Sequence, residues 1–258
     1  MERAAVAGAS SIVRNVQTRF PDVPGETCAI GGGVALFAGI DSPFSKAMGI
    51  GLWERAGRAE AEALTAFYRD RHASSHVCVT PHVDGDFVRA LVDLGYVPLS
   101  YENALTADLP AVAAQRDGRV GEMRDPHAWS VANRSAFNAG SEDEDADLVA
   151  LLLCTSPGTT ALEIRVDGAI VASACMDVQD EIAGFFAAAT TPALRGQGLH
   201  SALIGDRIAR AVERGARYGR VTTGPGTVSE QNFRRIGFVP LYTRTIWGKP
   251  CSDSASAR

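Results

Sequence analysis

Thr190-Thr191-Pro192-Ala193-Leu194-Arg195-Gly196-Gln197-Gly198-Leu199-His200 stands between a β-rich run, residues 182–190, and a helical pattern over residues 198–214. Glycines at a strand-to-helix turn let backbone N–H groups converge, and the helix N-terminus adds positive potential; together they suit a pyrophosphate. Arg195 would add a charge-assisted contact. Neither the P-loop spacing nor the glycine fingerprint of dinucleotide-binding turns is present, which disfavours nucleoside triphosphates and dinucleotides. The helix that follows carries Leu203, Ile204, Ile208, Ala211 and Val212 as an apolar stripe.

Upstream, strands are expected over 160–166 and 169–177, flanking Asp167-Gly168, a two-residue signal for a type I′ hairpin. Before them, residues 119–124 read as a strand. Asp125 then reads as an N-cap with Pro126 at N1, opening a helix with Trp129, Val131, Ala132 and Phe137. A second short helix ends near Leu153, after the acidic run Glu142-Asp143-Glu144-Asp145 with Asp147. Downstream lie a β-rich run, 220–223, a helix-like segment, 229–236, and Gly237-Phe238-Val239-Pro240-Leu241. That ending has a counterpart in Gly95-Tyr96-Val97-Pro98-Leu99, itself preceded by an amphipathic helix over 57–71, a strand over 77–80 and a helix over 86–94. An internal repeat of helix, strand, helix, strand sets the architecture. The expectation is an α/β chain of two related domains, 1-110 and 118-248, with a flexible tail over 249-258.

The segment 182–247, with Thr191-Pro192 and Arg195-Gly196-Gln197-Gly198 followed in order by Ser229-Glu230-Gln231-Asn232-Phe233-Arg234-Arg235-Ile236-Gly237-Phe238, resembles the GNAT superfamily of acyl-CoA-dependent N-acyltransferases. The likeness covers about 118–247, and the first half resembles a degenerate copy, as in tandem GNAT proteins. It implies two GNAT-like domains, each a mixed, mostly antiparallel sheet flanked by helices. It also implies acetyl-CoA as cosubstrate and a small-molecule primary amine as acceptor, with direct attack in a ternary complex. Carried over by position, Ala188, Ala189 and Thr190 would pair with the pantetheine arm. Arg195, Gly196, Gln197, Gly198, Leu199 and His200 would hold the pyrophosphate, and Ser229 and Asn232 would border the pantetheine and thiol.

Two positions depart from the family pattern. His200 replaces a small residue at the helix start. Phe233 stands four residues before Gly237, where many members carry a tyrosine that protonates the leaving thiolate. Phenylalanine has no ionisable proton, so Tyr242, on the following strand, is the candidate acid, and Glu181 and Asp177 are candidate bases. The competing reading is a non-catalytic acyl-CoA-binding or interaction protein.

With 258 residues, 46% of them hydrophobic and 21% charged, the chain can bury sizeable cores and keep a polar surface. Its formal net charge is -5 with no cluster of Lys and Arg, so nucleic acid is not an expected partner. The longest apolar run, 28–40, is too short to span a bilayer and is broken by Gly31, Gly32, Gly33 and Gly39. No secretion signal is read in the first twenty residues. Five cysteines, an odd number without a CxxC pair, read as reduced thiols in a cytoplasmic protein, monomer or homodimer. His72, His76 and His82 lack the further ligands that a metal site needs, so no metal is expected.

Overall fold

The computed structural model describes residues 1–20, 23–40, 42–137 and 144–250. The chain forms two compact units, one of Met1–Asn103 with residues 242–250, the other of Ala104–Leu241. Each is an α/β unit, a mixed, mostly antiparallel sheet flanked by helices, as expected. The division differs from the expected domains 1-110 and 118-248 in two respects: residues 104–110 fall with the second unit, and residues from Tyr242 onward fall with the first.

The first unit starts with α1 (Glu2–Arg19), then β1 (Glu26–Ile30) and β2 (Gly33–Phe37), an antiparallel hairpin. Its turn is Gly31-Gly32, both at positive φ (51 and 73), where side chains are disfavoured. The apolar run 28–40 is this hairpin. β3 (Ala47–Met48) pairs antiparallel with β2 and parallel with β4 (Ser75–Val79). Between them α2 (Arg58–Arg69) buries Ala61, Leu64, Phe67 and Tyr68, and the Glu60 carboxylate accepts from the Gly57 N–H at its start. α3 (Gly85–Asp93) follows, then β5 (Val97–Asp108), which passes into the second unit. β11 (Val239–Lys249) returns, and its residues 245–249 pair antiparallel with β4. One apolar cluster, with Phe37, Ile50, Leu64, Phe87 and Leu91 at its centre, fills the unit.

In the second unit the strands lie in the order β5, β10, β9, β8, β7, β6. β6 (Val120–Glu122) leads to α4 (Pro126–Phe137). Asp125 caps α4 as expected, its Oδ1 accepting from the N–H groups of His127 and Ala128 at 2.8 and 3.2 Å. α5 (Glu144–Thr155) precedes β7 (Thr159–Val166), β8 (Ala169–Gln179) and β9 (Ile182–Thr190), an antiparallel meander. Asp167 and Gly168 take φ 50 and 83, as a type I′ turn requires. α6 (Leu199–Glu213), β10 (Tyr218–Thr223) and α7 (Val228–Arg235) complete it.

Alternation along the strands assigns the two faces. Met176, Phe185 and Val221 pack with Ile204, Ile208, Phe233 and Phe238, which puts α6 and α7 on one face. Cys175 and Phe186 pack with Trp129 and Cys154, which puts α4 and α5 on the other. The acidic run at 142–147 and the tail beyond 250 lie outside the residues whose side chains are described.

Candidate functional site

β9 and β10 are the parallel pair at the centre of the second unit. Their ladder runs from Ile182–Tyr218 to Phe185–Val221 and ends there, although β9 continues to Thr190 and β10 to Thr223. Beyond that pair no ladder joins the two strands among the described residues. Toward β8, the register shifts between Ser173 and Cys175, and Ala187 takes φ 51. This bulge is held from α4, where Asn133 Nδ2 donates to the Ala187 carbonyl and to Ser173 Oγ, both at 2.8 Å. Thr190 Oγ1 and Thr223 Oγ1, at the ends of the two strands, are buried and have no hydrogen-bond partner among the described residues.

The glycine turn follows β9 directly. Gly196 and Gly198 take φ 80 and 76, and a Cβ at either would meet nothing within 4 Å. The turn is therefore open. Gly198 is the N-cap of α6 and supplies no side-chain cap, so the first N–H groups of the helix face that open space without a side-chain acceptor. Leu199 is buried and anchors the helix start, while Gly196, Gln197 and Gly198 are exposed. Arg195 is partly committed, donating to the carbonyls of Ala136 and Thr190 at 3.0 and 3.2 Å. A cavity of about 330 Å³ between residues 112–119 and α6 reaches Gly198 and Ser201.

His200 and Asn232, both expected at the coenzyme, touch each other across α6 and α7. Asn232 Oδ1 accepts from Arg235 Nη1 at 2.8 Å, so its amide N–H points to His200 Nδ1, 2.9 Å away. That network assigns the remaining ring proton to Nε2. Burial first, then the Arg207 charge, lowers the His200 pKa to about 4, so the ring is neutral near pH 7. Ser229 lies in the first turn of α7, whose N-cap Thr227 accepts from the Glu230 N–H at 3.3 Å. Phe233 is only 1% exposed and packs edge-on against Phe238, with centroids 4.9 Å apart. At this position the chain has a core residue.

The three candidates for proton transfer have different surroundings. Tyr242 belongs to the first unit, where its hydroxyl donates to Glu2 and its pKa is raised by burial and by that carboxylate. Glu181 is exposed in the turn between β8 and β9, at the end of β9 opposite Thr190. Asp177 is buried and paired with Arg220, 3.1 Å away.

Sequence reading missed Asn133, Arg220 and Arg207. Arg207 is fully buried on α6, donating to the carbonyls of Leu203 and Cys175 at 3.0 Å and of Phe186 at 3.4 Å. No salt bridge joins it to a carboxylate among the described residues, and burial lowers its pKa to about 10. The signal was present: Arg207 stands four residues after Leu203 and four before Ala211, on the apolar stripe. Among the described residues no group of His, Cys, Asp and Glu is arranged to hold a metal ion, and no helix is long and apolar enough to cross a membrane.

Solved structures share this fold. A GCN5-related N-acetyltransferase from Kribbella flavida superposes with a TM-score of 0.65 at 19% identity, over 97% of this chain and 98% of that one. The chain has the GNAT fold. A conserved protein of unknown function from Staphylococcus epidermidis gives a TM-score of 0.62 at 11% identity, over 92% of this chain and 97% of that one. A tandem GNAT protein from the clavulanic acid biosynthesis pathway gives 0.57 at 15% identity, over 84% and 78%. No protein-family model and no curated protein matches the sequence. The GNAT fold is thus carried by the backbone arrangement at low sequence identity.

Proposed function

We propose that the second unit is an acyl-CoA-dependent N-acyltransferase that moves an acetyl group from acetyl-CoA to the primary amine of a small molecule. The observation that carries this reading is the coincidence of three features: a parallel ladder that stops short of its strand ends, buried strand-end hydroxyls without partners, and an uncapped helix N-terminus behind two open left-handed glycines. Thr190 Oγ1 and Thr223 Oγ1 suit an amide-bearing arm lying between the strands, because a buried hydroxyl without a partner is costly. Ala188, Ala189 and Thr190 would pair with that arm. The N–H groups of Arg195, Gly196, Gln197, Gly198, Leu199 and His200 would hold the pyrophosphate, with Ser229 and Asn232 along the arm.

In this reading the amine nitrogen, after losing its proton, attacks the thioester carbon, the carbon–sulfur bond breaks, and the thiol leaves with a proton gained. The chain contributes mainly by holding the reactants together and by backbone polarisation at the bulged end of β9. Phe233 supplies no proton, and water is the proposed source. The first unit is the degenerate copy. Among the described residues none of the four cysteines forms a disulfide, in keeping with a reducing, cytoplasmic setting.

The test is thiol release from acetyl-CoA with a panel of amines, alongside calorimetric titration of coenzyme A. Tight binding with amine-dependent release is expected. Binding without release from any amine would favour the non-catalytic reading, which the buried Phe233 motivates.

A further inference from the structure

Asp177 on β8, Gly184 on β9 and Arg220 on β10 form one row across three strands of the second unit. The row lies one residue below the Phe185–Val221 pair at which the central ladder ends. Its side chains share the face of Cys175 and Phe186, away from α6 and α7. A Cβ on Gly184 would come within 2.1 Å of Asp177 Oδ1 and 2.6 Å of Arg220 Nη2, so the ion pair lies directly over that strand. The pairing is incomplete. Arg220 meets both Asp177 oxygens, at 3.3 and 3.1 Å, with the single nitrogen Nη2, and its buried Nε has no partner among the described residues. A guanidinium holds a carboxylate best through two adjacent N–H groups in parallel, and Asp177 does not use that fork. A buried donor left over in this way points to an acceptor that arrives from outside.

The two faces divide the reactants. The phosphate turn opens α6, so on the acyl-transfer reading the coenzyme would reach the end of the ladder from the α6 and α7 face. The opposite face, with Arg220 at its root, is left to the acceptor. We propose that the acceptor is an amino acid-like molecule, an amine bearing its own carboxylate, and that Arg220 binds this carboxylate through its unfilled edge. The proposal rests on the acyl-transfer reading, and it narrows the acceptor to one class. A singly charged, planar carboxylate suits one fork beside an existing Asp177.

The experiment measures binding by saturation-transfer NMR on the full chain, with coenzyme A present, so it does not depend on turnover. The panel pairs α-, β- and γ-amino acids with the amines that lack only the carboxylate. At least one amino acid should bind about tenfold or more tighter than its amine twin. Arg220→Gln and Arg220→Lys should each erase that preference while coenzyme titration stays unchanged; the lysine variant keeps the buried charge compensated if the glutamine variant misfolds. Asp177→Asn should act in the opposite direction, tightening carboxylate binding by roughly threefold as the guanidinium is released. An ion pair with a purely structural role would make both substitutions weaken binding together. Equal binding of the twins, tighter binding of the amine that lacks the carboxylate, or an unchanged preference in Arg220→Lys would each overturn the proposal. Failure of coenzyme A to bind the wild type would instead overturn the acyl-transfer reading.

Discussion

His200 is neutral and accepts a hydrogen bond because it is buried beside Arg207, and this gives stability a pH dependence. Its folded-state pKa, about 4, lies below the unfolded value of about 6.5, so the unfolded chain takes up a proton first. The contribution is fully present above pH 6.5 and is lost as pH falls toward 4. Urea unfolding midpoints at pH 7 and pH 5 should therefore differ in the wild type and differ less in His200→Gln. An equal drop in both would show that His200 does not carry the effect. Tyr242 gives a prediction of the other kind. Its hydroxyl donates to Glu2 in the first unit, so Tyr242→Phe should lower stability by about 1–3 kcal/mol, the cost of leaving a partly buried acceptor short of a donor. Turnover should persist, whereas a real general acid would cost about 10²–10⁴-fold when removed. A loss of that size in steady-state thiol release would restore Tyr242 as the proton donor.

The turn after β9 is built to be empty, and one substitution tests it. Gly198→Glu has room for its Cβ but must hold a side chain at φ 76, at a strain cost of about 1–2 kcal/mol, and brings a carboxylate to the helix N-cap. The fold should survive and coenzyme titration should show severe weakening; unchanged affinity would place the phosphate site elsewhere. Such local devices were legible in the sequence because they follow from backbone chemistry: Asp125-Pro126 opens a helix, Asp167-Gly168 turns a hairpin, and glycines mark the left-handed positions. The end of the β9–β10 ladder was not legible. It depends on which strands become neighbours, and β9 and β10 are separated in sequence by all of α6. Asp177 read as a candidate base and not as half of an ion pair for the same reason, since its partner Arg220 lies 43 positions away. Phe233 was read correctly as lacking a proton, yet only packing shows it as the middle of an aromatic cluster with Phe185 and Phe238.

Across the whole molecule, the two units differ at the place where a coenzyme would sit. In the first, the loop between β3 and α2 also has left-handed glycines, Gly49 and Gly51, but they are packed. A Cβ at Gly49 would meet Trp53 at 2.7 Å, and one at Gly51 would meet Val83 at 3.2 Å. Calorimetric titration should accordingly return one coenzyme A per chain, and two equivalent sites would refute the asymmetry. The repeat was visible from Gly95-Tyr96-Val97-Pro98-Leu99 and Gly237-Phe238-Val239-Pro240-Leu241, but the allocation of β11 was not. Short-range pattern says that residues 245–249 form a strand without saying which edge they join. That edge is β4, whose residues 75–79 pair with them from some 170 positions upstream. During translation, then, β4 emerges long before its partner exists. At the roughly 5–20 residues per second of a ribosome, its amide edge waits many seconds for β11 to be made. Nascent chains stalled or cleaved before residue 245 would present that edge to one another, so aggregation and chaperone dependence should be properties of incomplete chains far more than of the finished protein.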